Sequence, residues 1–357
     1  MTAPAAPERI VVRAPNWIGD VVLSLAAVRD LRRNFPRARI EVLARPWVAD
    51  VYRAVGEIDA VRLARGVRAD ADALRGAFDA GVVLPNSFGT AFTLWQARIP
   101  ERWGYATEGR RVLLTRAPAV PARVRGRSQV YYYRAMLAGA GLRVSAAPDV
   151  SLRCPTEWTE SAAAPRLLGP DEGGNWVGVN PGASFGTAKR WLPERFAAVA
   201  DTLAGQGARI VLVGGPAERP VGESIASQMR APARVLCGET SLPELVGVLA
   251  RLRLLVTNDS GPMHLAAALG IPVVAVFGPT DWRDPSRGRG PPRRARARAL
   301  LPLRPPRVPY RPSLHAPRHR GPRARGDGAV PGSALGGWDG PRSSSIGTGP
   351  CRTRSGT

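Results

Sequence analysis

Lys189 is the only lysine among 51 basic side chains. In a chain so biased toward arginine, its survival points to a need that a guanidinium does not meet: a compact ammonium charge. It closes a Gly-rich stretch, Asn180-Pro-Gly-Ala-Ser-Phe-Gly-Thr-Ala-Lys-Arg-Trp-Leu-Pro193, between a strand pattern and a helix pattern. Backbone amides of such a loop can cradle a phosphate, with Ser184 and Thr187 counted among its contacts and Lys189 neutralising the charge. A solvated surface lysine is the bland alternative.

A second stretch, Asn258-Asp-Ser-Gly-Pro-Met-His264, also follows a strand pattern and opens a helix. Asp259 or Ser260 reads as its N-cap and Pro262 as a first-turn residue, which leaves the amides of Ser260 and Gly261 aimed at an anion. His264 is the only histidine before residue 285, and it serves either the site or the packing. Asp20 ends the loop Ala14-Pro-Asn-Trp-Ile-Gly-Asp20 after the first strand. A carboxylate above that sheet edge can act as general base on an acceptor hydroxyl, with Asn16 and Trp17 shaping the acceptor site. The alternative is a plain acid favoured by the helix dipole. Glu218, just after Val213-Gly-Gly, stands where a carboxylate can take ribose hydroxyls.

Other chemistries lack their marks. No Gly-x-Gly-x-x-Gly follows the first strand, which counts against a dinucleotide oxidoreductase, and there is no phosphate-binding Gly-Lys-Ser/Thr loop. No metal-ligand cluster or Asp-x-Asp in a suitable place is visible, so a metal-independent reaction without cofactor is expected. Cys154, Cys237 and Cys351 lie far apart and read as thiols in a reducing cytoplasm. No run of eighteen apolar residues and no basic-then-apolar leader occur, so neither a membrane span nor a signal peptide is expected.

These residues need two α/β frames to hold them. In 1–150, strand patterns at 9–13, 39–44, 61–63 and 80–85 alternate with helix patterns at 20–34, 47–55, 70–78 and 128–142. Residues 151–174, rich in Pro, Ala, Glu and Gly, read as a linker. The alternation resumes over 175–284, from Trp176-Val-Gly-Val-Asn180 to Val273-Val-Ala-Val-Phe277. Short connections between alternating strands and helices imply parallel sheets, and two such Rossmann-like halves bind nucleotides outside the strand C-termini.

The net charge of +23 would suit a nucleic-acid binder, but 16 arginines against two aspartates in 285–357 supply +14 of it, leaving +9 for the rest. A moderately basic body suits an enzyme of phosphate-bearing substrates beside an anionic membrane face. The segment 285–357, rich in Arg, Pro and Gly with only scattered Leu and Val, buries too little apolar area to order itself and reads as a disordered tail. We read it as frame-shifted: back-translating Leu303–Ala316 and moving forward one base permits Cys, three variable positions, then Glu-Cys-Pro-Ile-Asp-His-Arg-Cys-Met. On that reading the last element of the second half is missing. Resequencing the codons for Trp282 to Arg287 checks this; an uninterrupted frame refutes it.

Taken together, Pro15-Asn-Trp-Ile-Gly-Asp20, Asn180-Pro-Gly-Ala-x-x-Gly-x-Ala-Lys-Arg-Trp191, Asn258-Asp-Ser-Gly-x-Met-His264 and Phe277-Gly-Pro-Thr280 resemble the ADP-heptose:lipopolysaccharide heptosyltransferases, the type II branch most closely. The resemblance spans about 9–284, and its rejoined Cys-rich segment would extend it. It implies a GT-B fold, an acceptor-binding first half and a nucleotide-sugar-binding second half facing across a cleft. It further implies an inverting glycosyltransferase with Asp20 as base, Lys189 on the donor diphosphate, 259–264 on the nucleotide and Glu218 on the ribose. The implied partners are ADP-heptose and the first heptose of a Kdo–lipid A inner core, met by a cytoplasmic monomer peripheral to the inner membrane, with no role for nucleic acid. A different sugar nucleotide or acceptor, an inactive truncated product and a basic anion-binding protein are the other readings.

Overall fold

A computed structural model describes residues 6–160, 167–169, 174–183, 189–277 and 296–300. The first sheet contains β1 (Arg9–Arg13), β2 (Arg39–Ala44), β3 (Ala60–Leu63), β4 (Ala80–Val83) and β5 (Glu101–Gly104). Its order is β3-β2-β1-β4-β5, and every pairing is parallel. The second sheet has β6 (Trp176–Asn180), β7 (Arg209–Leu212), β8 (Ala233–Val235), β9 (Leu252–Asn258), β10 (Val273–Phe277) and β11 (Arg296–Leu300). Its order is β11-β10-β9-β6-β7-β8, parallel apart from the β10–β11 pair. The interior strands β4 and β6 are buried along their whole length, as continuous apolar runs covered on both faces should be.

Helix α1 (Ile18–Asn34) covers one face of the first sheet with Val21, Val22, Leu25, Val28 and Leu31. It starts two residues earlier than its apolar spacing suggests, so Asp20 belongs to its first turn. Buried Asp30 ties it to α5 (Gln129–Gly139) by accepting from Arg134 Nε at 2.6 Å, and to the stretch after that helix by accepting from Ser145 N at 3.0 Å. Between them come α2 (Pro46–Arg53), α3 (Val67–Leu74) and α4 (Phe88–Gln96). Neither α4 nor β5 stands out in the sequence. The outer side of α4 is aromatic rather than polar, so the contrast that marks an amphipathic helix is missing.

The stretch between the halves is not bare linker. Short helix α6 (Thr156–Glu160) packs on α9 (Leu242–Ala250), and Leu152 N donates to Ala268 O at 2.8 Å. The second half also has α7 (Pro193–Ala204), α8 (Arg219–Gln228) and α10 (Gly261–Ala268). The basic tail contributes β11, which its composition did not suggest; Arg296-Ala-Arg-Ala-Leu300 alternates with the two-residue period of an edge strand. Residues 303–316, which carry the frame-shift reading, lie outside the described residues. No described helix is long and apolar enough to cross a membrane.

Candidate active site

The two sheets bring their C-terminal loops together through α1 and α10. A Cβ on Gly19 would lie 2.7 Å from His264 Cδ2, and one on Gly261 would lie 3.0 Å from Ile18 Cβ. These helix N-termini, one from each half, meet closely at the two glycines, and at Gly19 a side chain would force His264 to shift. Asp20 and His264, 244 residues apart in sequence, therefore share one junction.

On the second half, the ends of β6 and β9 are locked by a buried polar network. Asn258 Nδ2 donates to Pro181 O at 2.7 Å, and its Oδ1 accepts from Trp191 N at 3.0 Å, so one side chain grips both ends of the Gly-rich loop. Ser260 Oγ donates to Asn180 Oδ1 at 2.8 Å and lies 3.0 Å from Thr257 Oγ1. All four residues are buried, and each such bond is favoured because an unpaired polar group there would be costly. The network fixes the loop entering α10 without capping it: Ser260 is the N-cap residue, yet no side chain caps the helix. Of the two N-cap candidates, Ser260 holds the position and Asp259 does not: its carboxylate turns to Lys189 instead, 2.9 Å from Nζ. That pair is mostly shielded, with 18% and 12% of the side chains exposed. A cation thus stands at the mouth of a helix N-terminus that is itself a partial positive charge.

Glu218 sits on the turn before α8, its Oε2 accepting from Gly215 N at 2.6 Å. A Cβ on Gly182 would lie 1.8 Å from Glu218 Oε1, and one on Gly214 would lie 2.6 Å from Oε2. The carboxylate is thus nested between the two loops that follow β6 and β7. Gly182→Ala should expel it: we expect the affinity for ADP, titrated calorimetrically, to fall about tenfold with the fold intact. Unchanged affinity would show that Glu218 stands outside the nucleotide site. Ser184 and Thr187 lie outside the described residues.

Asp20 is half-buried, and burial pushes its carboxyl up to about 6. Its charge reaches Tyr52 and Tyr133 beneath it, two phenols held protonated chiefly by burial. No hydrogen bond or ion pair holds Asp20 among the described residues, which leaves its oxygens available to a substrate proton. Burial lowers the His264 imidazole below its ordinary value; Asp259 opposes this and Lys189 adds to it. His264 is therefore neutral at pH 7. Buried Arg13 donates to Asn16 Oδ1 at 3.1 Å, and Trp47 Nε1 donates to Asn16 O at 2.9 Å. Trp17 and Trp47 are both more than half exposed beside this loop. Arg13 and Trp47, which position Asn16, were not singled out in the sequence; Arg13 is one arginine among fifty, and the strand pattern hides it. Among the described residues, no three His, Cys, Asp or Glu side chains cluster as metal ligands do.

Two α/β sheets whose C-terminal loops abut, one with a half-buried carboxylate and the other with a shielded cation at a helix N-terminus, define a group-transferring nucleotide-site enzyme of GT-B type. Residues 67–297 match the family model of glycosyltransferase family 9 (heptosyltransferase). The lipopolysaccharide heptosyltransferase 2 of Salmonella typhimurium is 32% identical over 302 residues, covering 76% of this chain and 83% of that protein. The lipooligosaccharide heptosyltransferase 2 of Haemophilus influenzae is 31% identical over 292 residues, covering 76% and 84%. Among solved structures, the Escherichia coli ADP-heptose lipopolysaccharide heptosyltransferase II superposes with a TM-score of 0.70 at 30% identity, over 78% of this chain and 88% of that one. The chain belongs to glycosyltransferase family 9, the heptosyltransferases.

Proposed function

We propose that this chain transfers L-glycero-D-manno-heptose from ADP-heptose to the heptose of a lipopolysaccharide inner core, with inversion at the anomeric carbon. The observation that supports it most is the junction of Asp20 and His264 with the Lys189–Asp259 pair, because transfer needs a base and a leaving-group cation on facing loops. Residues 1–150 take the acceptor, with Asn16 and Trp17 beside it, and 175–284 take the donor. Asp20 removes the proton from the acceptor hydroxyl as that oxygen attacks the anomeric carbon. The bond from that carbon to the diphosphate breaks on the opposite side, and ADP leaves with the electron pair. Lys189 and the amides of Ser260 and Gly261 neutralise the departing charge, the part a metal ion plays in other transferases. Ser184, Thr187, Glu218 and His264 complete the donor site. The acceptor carries a lipid, so the monomer works at the cytoplasmic face of the inner membrane.

A transfer assay tests this. With ADP-heptose and a monoheptosylated Kdo–lipid A acceptor, mass spectrometry should show one added heptose, and EDTA should not diminish it. Addition from another sugar nucleotide alone would replace the donor. Activity appearing only after the reading frame is restored beyond Trp282 would keep the family assignment and mark this chain as incomplete.

A further inference from the structure

Helix α4 carries an aromatic stripe that the catalytic reading leaves unused. Phe88, Phe92 and Trp95 recur at helical spacing, with ring centroids 6.1 Å and 5.5 Å apart along the stripe. Phe92 is partly buried against the core of that face, whereas Phe88 and Trp95 remain 46% and 48% exposed. The patch continues onto neighbours: Val67 opens α3 beside Gly89, and Val112, 81% exposed, lies on the turn packed against α4. Its surroundings are basic. At the C-terminal end of α4, Arg75, Arg98 and Arg102 join Trp95, Gln96 and Ile99 around an open cavity of about 570 Å³. The Asp72 carboxylate pairs with Arg75 at 3.2 Å, and Glu101 lies between the lining residues Pro100 and Arg102. On the cavity wall, Gln96 Oε1 is buried without a hydrogen-bond partner among the described residues. Arg98 itself holds a left-handed backbone (φ 57°) at a helix end where glycine is usual.

We propose that this face of α3 and α4 docks on an anionic phospholipid bilayer, with the aromatic stripe in the interfacial layer and a headgroup in the arginine-lined cavity. This rests on the reading of a lipid-bearing acceptor. Tryptophan and phenylalanine flanked by arginine suit that interface, where ring faces meet acyl chains and cations meet phosphates. The headgroup phosphate meets the arginines that line the cavity. Phe88 follows the β4–α4 loop, at the C-terminal edge of the sheet that also carries the Asp20 loop, while α4 and α1 cover opposite faces.

The test is sedimentation of the full chain with vesicles of phosphatidylglycerol and phosphatidylethanolamine, or of phosphatidylcholine alone. The wild type should partition to the anionic vesicles. The double variant Phe88→Ser, Trp95→Ser should lose at least tenfold in partition with an unchanged melting temperature, although its net charge is untouched. Arg75→Ser with Arg98→Ser should weaken binding and flatten its salt dependence. Partition of the aromatic variant equal to wild type would overturn the proposal and assign binding to the basic tail. Turnover separates the two readings: the aromatic variant should match wild type on a deacylated, soluble acceptor and fall only on acceptor embedded in vesicles. Equal losses on both acceptors would also overturn the docking role. Vesicle binding lost in the variant while wild type transfers no heptose would keep the docking face and refute the proposed transfer.

Discussion

Asp20→Asn should lower kcat by about 10²- to 10⁴-fold, the usual worth of a positioned general base, with the affinity for ADP unchanged. The pH profile separates catalysis from mere disturbance. A base must be deprotonated, and burial raises this carboxyl to about 6. For wild type, log kcat/KM should therefore climb with unit slope below that pH and level off above it. The variant's residual rate should be flat across the same range. Stability should move the other way. The unfolded carboxyl ionises near 4, so between about 4 and 6 the native state holds a proton that the unfolded state has released. Native stability is fully present below this window and declines as pH rises through it. Asn carries no such cost, so the variant should gain up to about 3 kcal/mol at pH 7, from roughly two units at 1.36 kcal/mol each. Urea melts at pH 4 and pH 7 would show the gain at the higher pH only. A variant no more stable at pH 7, with full activity, would return Asp20 to an ordinary helix-terminal acid.

Lys189→Met should raise the KM for the donor about 100-fold or more, because the diphosphate loses its nearest cation. The same change strands the Asp259 carboxylate, which is only 12% exposed, and should destabilise the fold by about 1–3 kcal/mol. Adding Asp259→Asn should restore most of that stability and none of the donor affinity. Recovery of both would mean the pair is structural. Lys189→Arg keeps the charge, but a planar fork replaces a point charge within a site built around one ammonium. Its donor KM should fall between those of wild type and Lys189→Met. Steady-state kinetics and calorimetric ADP titration on the four proteins check both statements.

The fold was largely legible because buried parallel strands write themselves as apolar runs, such as Val177-Gly-Val-Asn180 before the Gly-rich loop. Where that contrast is missing an element went unread: α4 shows aromatics to solvent. The chemistry-bearing types were also legible, because a lone lysine or an acid after Trp-Ile-Gly stands out locally. Their partners were not. Asp259 looks like a cap from its neighbours, and only the fold shows it 2.9 Å from an ammonium 70 residues away.

The amino-acid sequence determined by itself the two alternating halves, the loops that must follow their strands, and the family to which the chain belongs. These are local properties: apolar period, turn residues and short motifs act within a few residues of one another. The tertiary structure decided what those loops do to one another. Gly19 against His264 sets the contact between halves, Glu218 nests over Gly182, and burial lifts Asp20 into the range of a useful base. Each depends on contacts made across long sequence separations and on the water they exclude, and neither is written in any single stretch of the chain.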